Sequence, residues 1–323
     1  MKISAERLAA EANSTGFRPA LLEKVVHLLS LLDALREYPP LRDTLVLKGG
    51  TALNLFTFAV PRLSVDIDVN YVGAEGRNEM LTDRPAIERA LQSVASREGF
   101  GVARMPHEHA GGKWRLTYSS VLGGRDTLEV DLNYMFRIPL WPVSVLDSHP
   151  VGAWRATGIP VLDIHELAAG KLAALLSRKQ SRDLFDSHRL LQSGLLERER
   201  MRLAFVVYGA MNRKDWRTVT GNDAAFDALE MGEHLLPTLN MREDHHDTSP
   251  TEFGDRLMME TREALSVVLP LADHERVFLD LLLARGEIDP SLLTSDASLQ
   301  DRIRQQPLLE WKAQNVRQYR AMS

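Results

Sequence analysis

Asp66 and Asp68 stand in an alternating run, with Leu63, Val65, Ile67 and Val69 on one parity and Arg62, Ser64, Asp66 and Asp68 on the other. Side chains of an extended strand alternate, so the second set projects from one face. At about 3.3 Å of rise per residue the two aspartates lie roughly 6–7 Å apart at their Cα atoms. Carboxylates so placed repel by on the order of 3 kcal/mol at an effective dielectric near 20, unless a cation lies between them. A hard divalent ion with oxygen ligands is the simplest resident. Upstream, Lys48-Gly49-Gly50-Thr51 closes the apolar run from Thr44 to Leu47 and opens a helix expected over Ala52 to Phe58. Glycines at such a strand-to-helix turn leave backbone N–H groups pointing outward, where a phosphate is favourably held. An acidic strand face alone is common; a phosphate-type turn followed by Arg-x-Ser-x-Asp-x-Asp is what points to chemistry.

A second acidic face follows in Asp126 to Tyr134, where Leu128, Val130 and Leu132 share one side and Glu129, Asp131 and Asn133 the other. Pairing this strand beside Ser64 to Asn70 brings a third carboxylate, Asp131 or Glu129, next to Asp66 and Asp68. Farther on, Asp163 and Glu166 have the spacing of a capping box and start a helix expected from Ile164 to about Lys179. Lys171 lies in its second turn among Ala168, Ala169 and Gly170, small residues that leave room for a ligand, with Arg178 seven residues on and on the same side. As a cleft lysine it contributes little to folding. Arg182-Asp183-Leu184-Phe185-Asp186 opens a second helix that Gly194 ends, with both aspartates on one side.

The elements that must carry these residues read as follows. Pro19 to Glu37 has a wide apolar helical stripe closed by Pro39-Pro40, and Asp83 with Pro85 predicts a capped helix to about Glu98. Phe100 to His107 and Lys113 to Val121 read as strands, with Gly123-Gly124 turning the chain into Asp126 to Tyr134. Beyond Gly194 the pattern is helical, with amphipathic stretches over residues 273–285 and 296–320. In the polar segment Arg242 to Pro250, His245-His246 with Asp244 and Asp247 makes a poor chelate, because adjacent residues rarely converge on one ion.

With 323 residues, 44% apolar and 26% charged, the chain has the composition of a soluble protein of about two domains. No apolar run approaches the roughly 18 residues of a membrane span, and the amino-terminal residues lack a signal-peptide core. The absence of cysteine excludes disulfides and thiolate metal sites and fits a reducing cytoplasm. A net charge of −5 excludes a polyanion binder by overall composition. Basic residues nevertheless gather at Arg178, Lys179, Arg182 and Arg189, at Arg198, Arg200 and Arg202, and along residues 302–320. Any polyanionic partner is expected to dock on such a local patch.

In series, Gly49-Gly50-Thr51, Arg62-x-Ser64-x-Asp66-x-Asp68, Lys171 with Arg178, and Arg182-Asp183-x-x-Asp186 resemble the motifs of the AbiEii family, over about residues 40–195. These are nucleotidyltransferase-like toxins of toxin–antitoxin and abortive-infection systems, a group that includes the MenT toxins. The resemblance implies an α/β (α+β) fold, with a polymerase-β-like nucleotidyltransferase core of mixed sheet flanked by helices over 1–195 and a helical carboxyl-terminal domain over 196–323. It implies Asp66, Asp68, Lys171 and Asp186 as catalytic residues, and Asp66, Asp68 and, less directly, Asp131 as ligands of Mg²⁺ or Mn²⁺. Gly49, Gly50, Thr51, Arg62, Ser64, Lys171, Arg178 and Arg182 are the implied nucleotide contacts. Also implied are a nucleoside triphosphate donor, the 3′ end of tRNA as acceptor with a block of translation, and a cognate antitoxin encoded nearby, with no membrane or DNA partner. Rival readings are a transferase on the same fold acting on a small molecule or a protein side chain, and a non-catalytic regulatory module; the intact acidic series argues against the last.

Overall fold

The computed structural model describes residues 3–105, 111–242 and 248–322, so the end of the expected strand at 106–107 and the His245-His246 pair lie outside the described residues. The chain forms two compact units, one of Met1–Arg137, Val143–Leu162 and Pro237–Asp247, the other of Ile138–Pro142, Asp163–Leu236 and Thr248–Ser323. The helices that carry Lys171 and Asp186 therefore cluster with the helical unit, ahead of the division read at residue 195.

In the first unit seven described strands form one mixed sheet: β1 (Leu45–Lys48), β2 (Asp66–Tyr71), β3 (Gly101–Met105), β4 (Gly111–Ser119), β5 (Arg125–Asn133), β6 (Ser144–Leu146) and β7 (Ile159–Val161). Their spatial order is β3-β4-β5-β2-β1-β7-β6. β2 runs parallel to β5 and antiparallel to β1, while β4 and β5 form the hairpin that Gly123 and Gly124 turn. Ile67, Val69, Leu128, Val130 and Leu132 are buried on one parity, and each full burial of this kind stabilises by about 1.5–3 kcal/mol. The other parity of β2 and β5 at Asp66, Asp68, Glu129 and Asp131 is only half-buried. Period two in the sequence thus becomes a core face and a polar face.

Helices α1 (Ala5–Thr15), α2 (Pro19–Glu37) and α3 (Arg77–Arg97) flank this sheet. Glu23 of α2, itself buried, accepts hydrogen bonds from Ser120 Oγ at 2.6 Å and the Val121 N–H at 2.8 Å, which ties the helix to the β4–β5 turn. Asp83 does not cap α3. It accepts the Tyr71 hydroxyl at 2.6 Å instead, and Pro85 lies inside the helix, whose first turn starts at Arg77. β2 begins only at Asp66, because residues 62–64 bond elsewhere: Leu63 N–H donates to Thr238 O at 2.8 Å and Arg62 bridges Leu239. Val60, at φ 54, turns the chain ahead of them, a costly angle for a β-branched residue.

The second unit is built from α4 (Ile164–Leu175), α5 (Ser181–Gln192), α6 (Arg198–Met211), α7 (Pro250–Ala264), α8 (Asp273–Asp280), α9 (Ala297–Arg304) and α10 (Pro307–Met322) with short turns between. Pro307 splits the single amphipathic stretch expected over 296–320, since proline suits the first position of a new helix and not the interior of an old one. No helix among the described residues is long and apolar enough to cross a membrane. Arg202, read as part of a basic patch, is instead structural: it pairs with buried Glu275 at 2.6 Å and donates to the carbonyls of Val267 and Pro270.

Glu166 also departs from its expected role. Asp163 caps α4 through the His165 N–H, whereas Glu166 turns inward and accepts from the N–H groups of Leu140 and Trp141 at 3.0 and 3.3 Å and from the Tyr208 hydroxyl at 3.0 Å. Burial pushes its carboxyl up to about 7, against these three donors, which favour the ionised form. A carboxyl raised in the folded state contributes stability that is full below about pH 4.5 and is lost as pH rises through about 7, at most about 3 kcal/mol. Wild type should therefore melt lower at pH 8 than at pH 5.5, and Glu166→Gln should flatten that difference. Parallel melting profiles of the two proteins would contradict the assignment.

Candidate active site

Strand register builds the acidic face. Asp68 lies opposite Asp131 and Asp66 opposite Glu129 across β2 and β5. Residues opposed across neighbouring strands present side chains on the same face, about 5 Å apart. The same row continues on both sides: Lys48 of β1 lies opposite Asp68, and Lys113 of β4 lies opposite Asp131. Two adjacent carboxylates are thus bracketed by two lysines.

The register also distinguishes the two candidates for the third carboxylate. Glu129 is engaged by Lys113 Nζ at 2.5 Å and by Arg115 at 3.4 Å, and the hydrogen bond from Lys113 helps hold its carboxyl below the usual range against burial. Asp131 is the neighbour of Asp68. Among the described residues no three His, Asp or Glu side chains converge as a formed metal site. The donor chemistry still fits: Asp68 and Asp131 offer hard oxygens from adjacent strands, with Asp66 two residues along, and no soft ligand competes.

Gly49 completes this face. Its φ is +73, and a Cβ there would come within 3.0 Å of Asp68 Cβ and Cγ and closer still to Oδ2. Only glycine lets the turn close over the aspartate. Gly49→Ala is expected to lose about 1–3 kcal/mol of stability through the left-handed angle and to reduce activity more than that loss of folded protein explains, because it displaces Asp68. Activity per folded molecule, measured beside a denaturant melt, checks this; an unchanged value would show the contact to be idle.

Other residues expected as contacts are buried. Thr51 is fully buried, with its hydroxyl 2.6 Å from the Asp66 carbonyl and 3.0 Å from Ser64 Oγ, and Ser64 is 7% exposed. The pair pins the start of β2 to the turn. Arg62, 2% exposed, donates to the Leu63 carbonyl inside the unit. The helix expected from Ala52 is a wide-turned segment, Ala52–Thr57, led by the Gly49–Thr51 turn, whose first N–H groups no side chain caps.

In the second unit Lys171 Nζ lies 3.0 Å from Asp183 Oδ1 and 2.8 Å from Asp186 Oδ2, and Arg178 Nε lies 2.6 Å from Asp183 Oδ2. Both aspartates are buried. Burial alone would raise the Asp183 carboxyl, yet Lys171 and Arg178 together hold it below the usual carboxylate range. Lys171 is therefore no free cleft lysine: its charge is matched by two carboxylates, and its side chain is 13% exposed. α4 ends at Leu175, so Arg178 lies past the helix and folds back to Asp183 instead of sharing a face with Lys171. Arg182 is half-buried on α5. Ala168 and Ala169 are buried, and Gly170 sits against the Tyr208 ring, so the small residues serve close packing of α4 on α6 rather than ligand space.

Sequence reasoning missed Lys113 and gave Lys48 no role. Both were findable, since each stands at a strand position of the same parity as the acidic pair once the register is known. Residues 30–308 match the family described as "Nucleotidyl transferase AbiEii toxin, Type IV TA system". In three dimensions the chain is similar to MenT4, a nucleotidyltransferase toxin from Mycobacterium tuberculosis H37Rv, at 18% identity and a TM-score of 0.54, covering 96% of this chain and 99% of that chain. At that identity the likeness is one of fold. JHP933 from Helicobacter pylori is similar over 77% of this chain and 95% of that chain, at 17% identity and a TM-score of 0.44. No curated protein matches in sequence.

Proposed function

We propose that this chain, which belongs to the AbiEii nucleotidyl transferase toxin family of type IV toxin–antitoxin systems, transfers a nucleotide from a nucleoside triphosphate to the 3′ end of tRNA and so blocks translation. The observation that carries the reading is the register that sets Asp68 beside Asp131 under the Gly49 turn, with Asp66 on the same face. Transfer joins the acceptor oxygen to the α-phosphorus in line, while pyrophosphate leaves and the acceptor hydroxyl gives up its proton. Asp66, Asp68 and Asp131 would hold Mg²⁺ or Mn²⁺. When bound, the ion supplies the positive charge that the transferring phosphoryl group needs. Backbone N–H groups at Gly49 and Gly50 offer donors to the triphosphate, and Lys48 adds a cation at the same turn. The family resemblance also assigns a phosphate charge to Lys171, whose ammonium Asp183 and Asp186 hold. The family also implies a cognate antitoxin, and the cytoplasm is the compartment where tRNA would be met.

Incubating the purified protein with each α-labelled nucleoside triphosphate and total tRNA, protein or small hydroxyl compounds tests this. Label should enter tRNA at its 3′ end, and tRNA binding should weaken steeply with salt. Label found only in a protein or a small molecule would replace the acceptor; no label anywhere with Mg²⁺ or Mn²⁺ present would sink the reading.

A further inference from the structure

We propose that Lys113 is the built-in counter-ion of the acidic face, a positioning residue that sets how tightly Asp68 and Asp131 hold a divalent cation and keeps Glu129 out of the ligand set. This rests on the metal reading above. Across the sheet one row runs Lys113, Asp131, Asp68, Lys48, and the next runs Arg115, Glu129, Asp66. Lys113 leaves its own row to bond Glu129 in the next, at 2.5 Å, with its side chain 31% exposed. Arg115 reaches the other oxygen of the same carboxylate at 3.4 Å. Glu129 is consequently held by two cations, while Asp131 is left to Asp68.

Register sets Lys113 opposite Asp131 while its ammonium bonds Glu129, so one positive charge lies beside both carboxylates. A fixed positive charge this close to a cation site weakens cation binding by simple repulsion, and the effect is large where solvent screens incompletely. The bond to Glu129 draws that charge aside from Asp131. The lysine and the glutamate thus act in opposite directions on the same site.

Calorimetric titration of Mn²⁺ into the nucleotide-free protein separates these effects without using activity. Lys113→Met should tighten binding about tenfold, because a repelling charge is gone. Glu129→Gln should weaken it by about the same factor, since Lys113 is then left to Asp131. The double variant should return to within about threefold of wild type, and the differences should shrink from low to high salt. A merely structural lysine would lower the melting temperature and leave the affinity of the folded protein unmoved. If wild type binds Mn²⁺ and Lys113→Met binds it equally or more weakly, the counter-ion role is wrong while the metal reading stands. Absence of Mn²⁺ binding to wild type overturns both.

Discussion

Asp68→Asn is expected to lower nucleotide transfer by about a thousandfold while the melting temperature of the metal-free protein stays level or rises slightly. The side chain keeps its shape and loses its charge, so the turn at Gly49, which already packs against it, has no steric reason to move. What disappears is one of two hard oxygen donors that β2 and β5 bring side by side. In the metal-free protein Asp68 and Asp131 repel each other, and removing one charge relieves that repulsion. Asp131→Asn should behave alike, and so should Asp66→Ala. Glu129→Gln should keep most of its turnover at saturating Mg²⁺, because Glu129 is held by Lys113 and Arg115. Turnover with Mg²⁺ at several concentrations, beside melting curves, gives the answer. Wild-type turnover in Asp68→Asn would remove the metal role from the centre of this site.

The acidic pair was legible because strand parity is local: Asp66 and Asp68 share a face in any extended chain. The partner strand was half legible. Leu128, Val130 and Leu132 announce a core face, but whether Asp131 or Glu129 meets Asp68 depends on register, and register between β2 and β5 is fixed by residues far apart in sequence. Helix α2 matched its apolar stripe from Pro19 to Glu37, since proline at one end and Pro39-Pro40 at the other leave little freedom. Glu166 was misread for the opposite reason. Its spacing from Asp163 suits a capping box, yet three buried donors, Leu140, Trp141 and Tyr208, compete for the same carboxylate, and all three lie over twenty residues away. Thr51, Ser64 and Arg62 are likewise set by contacts distant in sequence. Their types suggest phosphate; in the fold Arg62 pairs with Leu239, and Thr51 bonds Ser64 and the Asp66 carbonyl, with all three side chains buried.

Lys171→Ala is expected to cost both function and fold. The loss of a charge that stabilises transferring phosphates is typically worth about a hundredfold or more in rate, and Lys171→Arg should restore that only in part, because a planar fork replaces a compact ammonium. The sequence alone, reading a cleft lysine, expects an unchanged melting temperature. Two buried partners reverse that expectation: Asp183 and Asp186 lie 3.0 and 2.8 Å from the ammonium, and breaking such a pair by removing one member costs about 3–5 kcal/mol. The pH dependence distinguishes this from a general packing defect. Asp183 is held below its ordinary range in wild type, so its contribution is present above the unfolded carboxylate value, near pH 4, and is lost only as pH falls through its lower folded value. In the variant, burial acts on Asp183 with only Arg178 of its two cations left, so acid should relieve it. The gap in melting temperature between wild type and Lys171→Ala should therefore be widest at neutral pH and narrow toward pH 4. Adding Asp183→Asn to the variant should recover part of the stability without recovering rate, since it removes a buried charge that Lys171 had helped to match and restores no cation. A gap that stays constant with pH would assign the loss to packing, and no gap at neutral pH would show that the two aspartates find their counter-charge elsewhere.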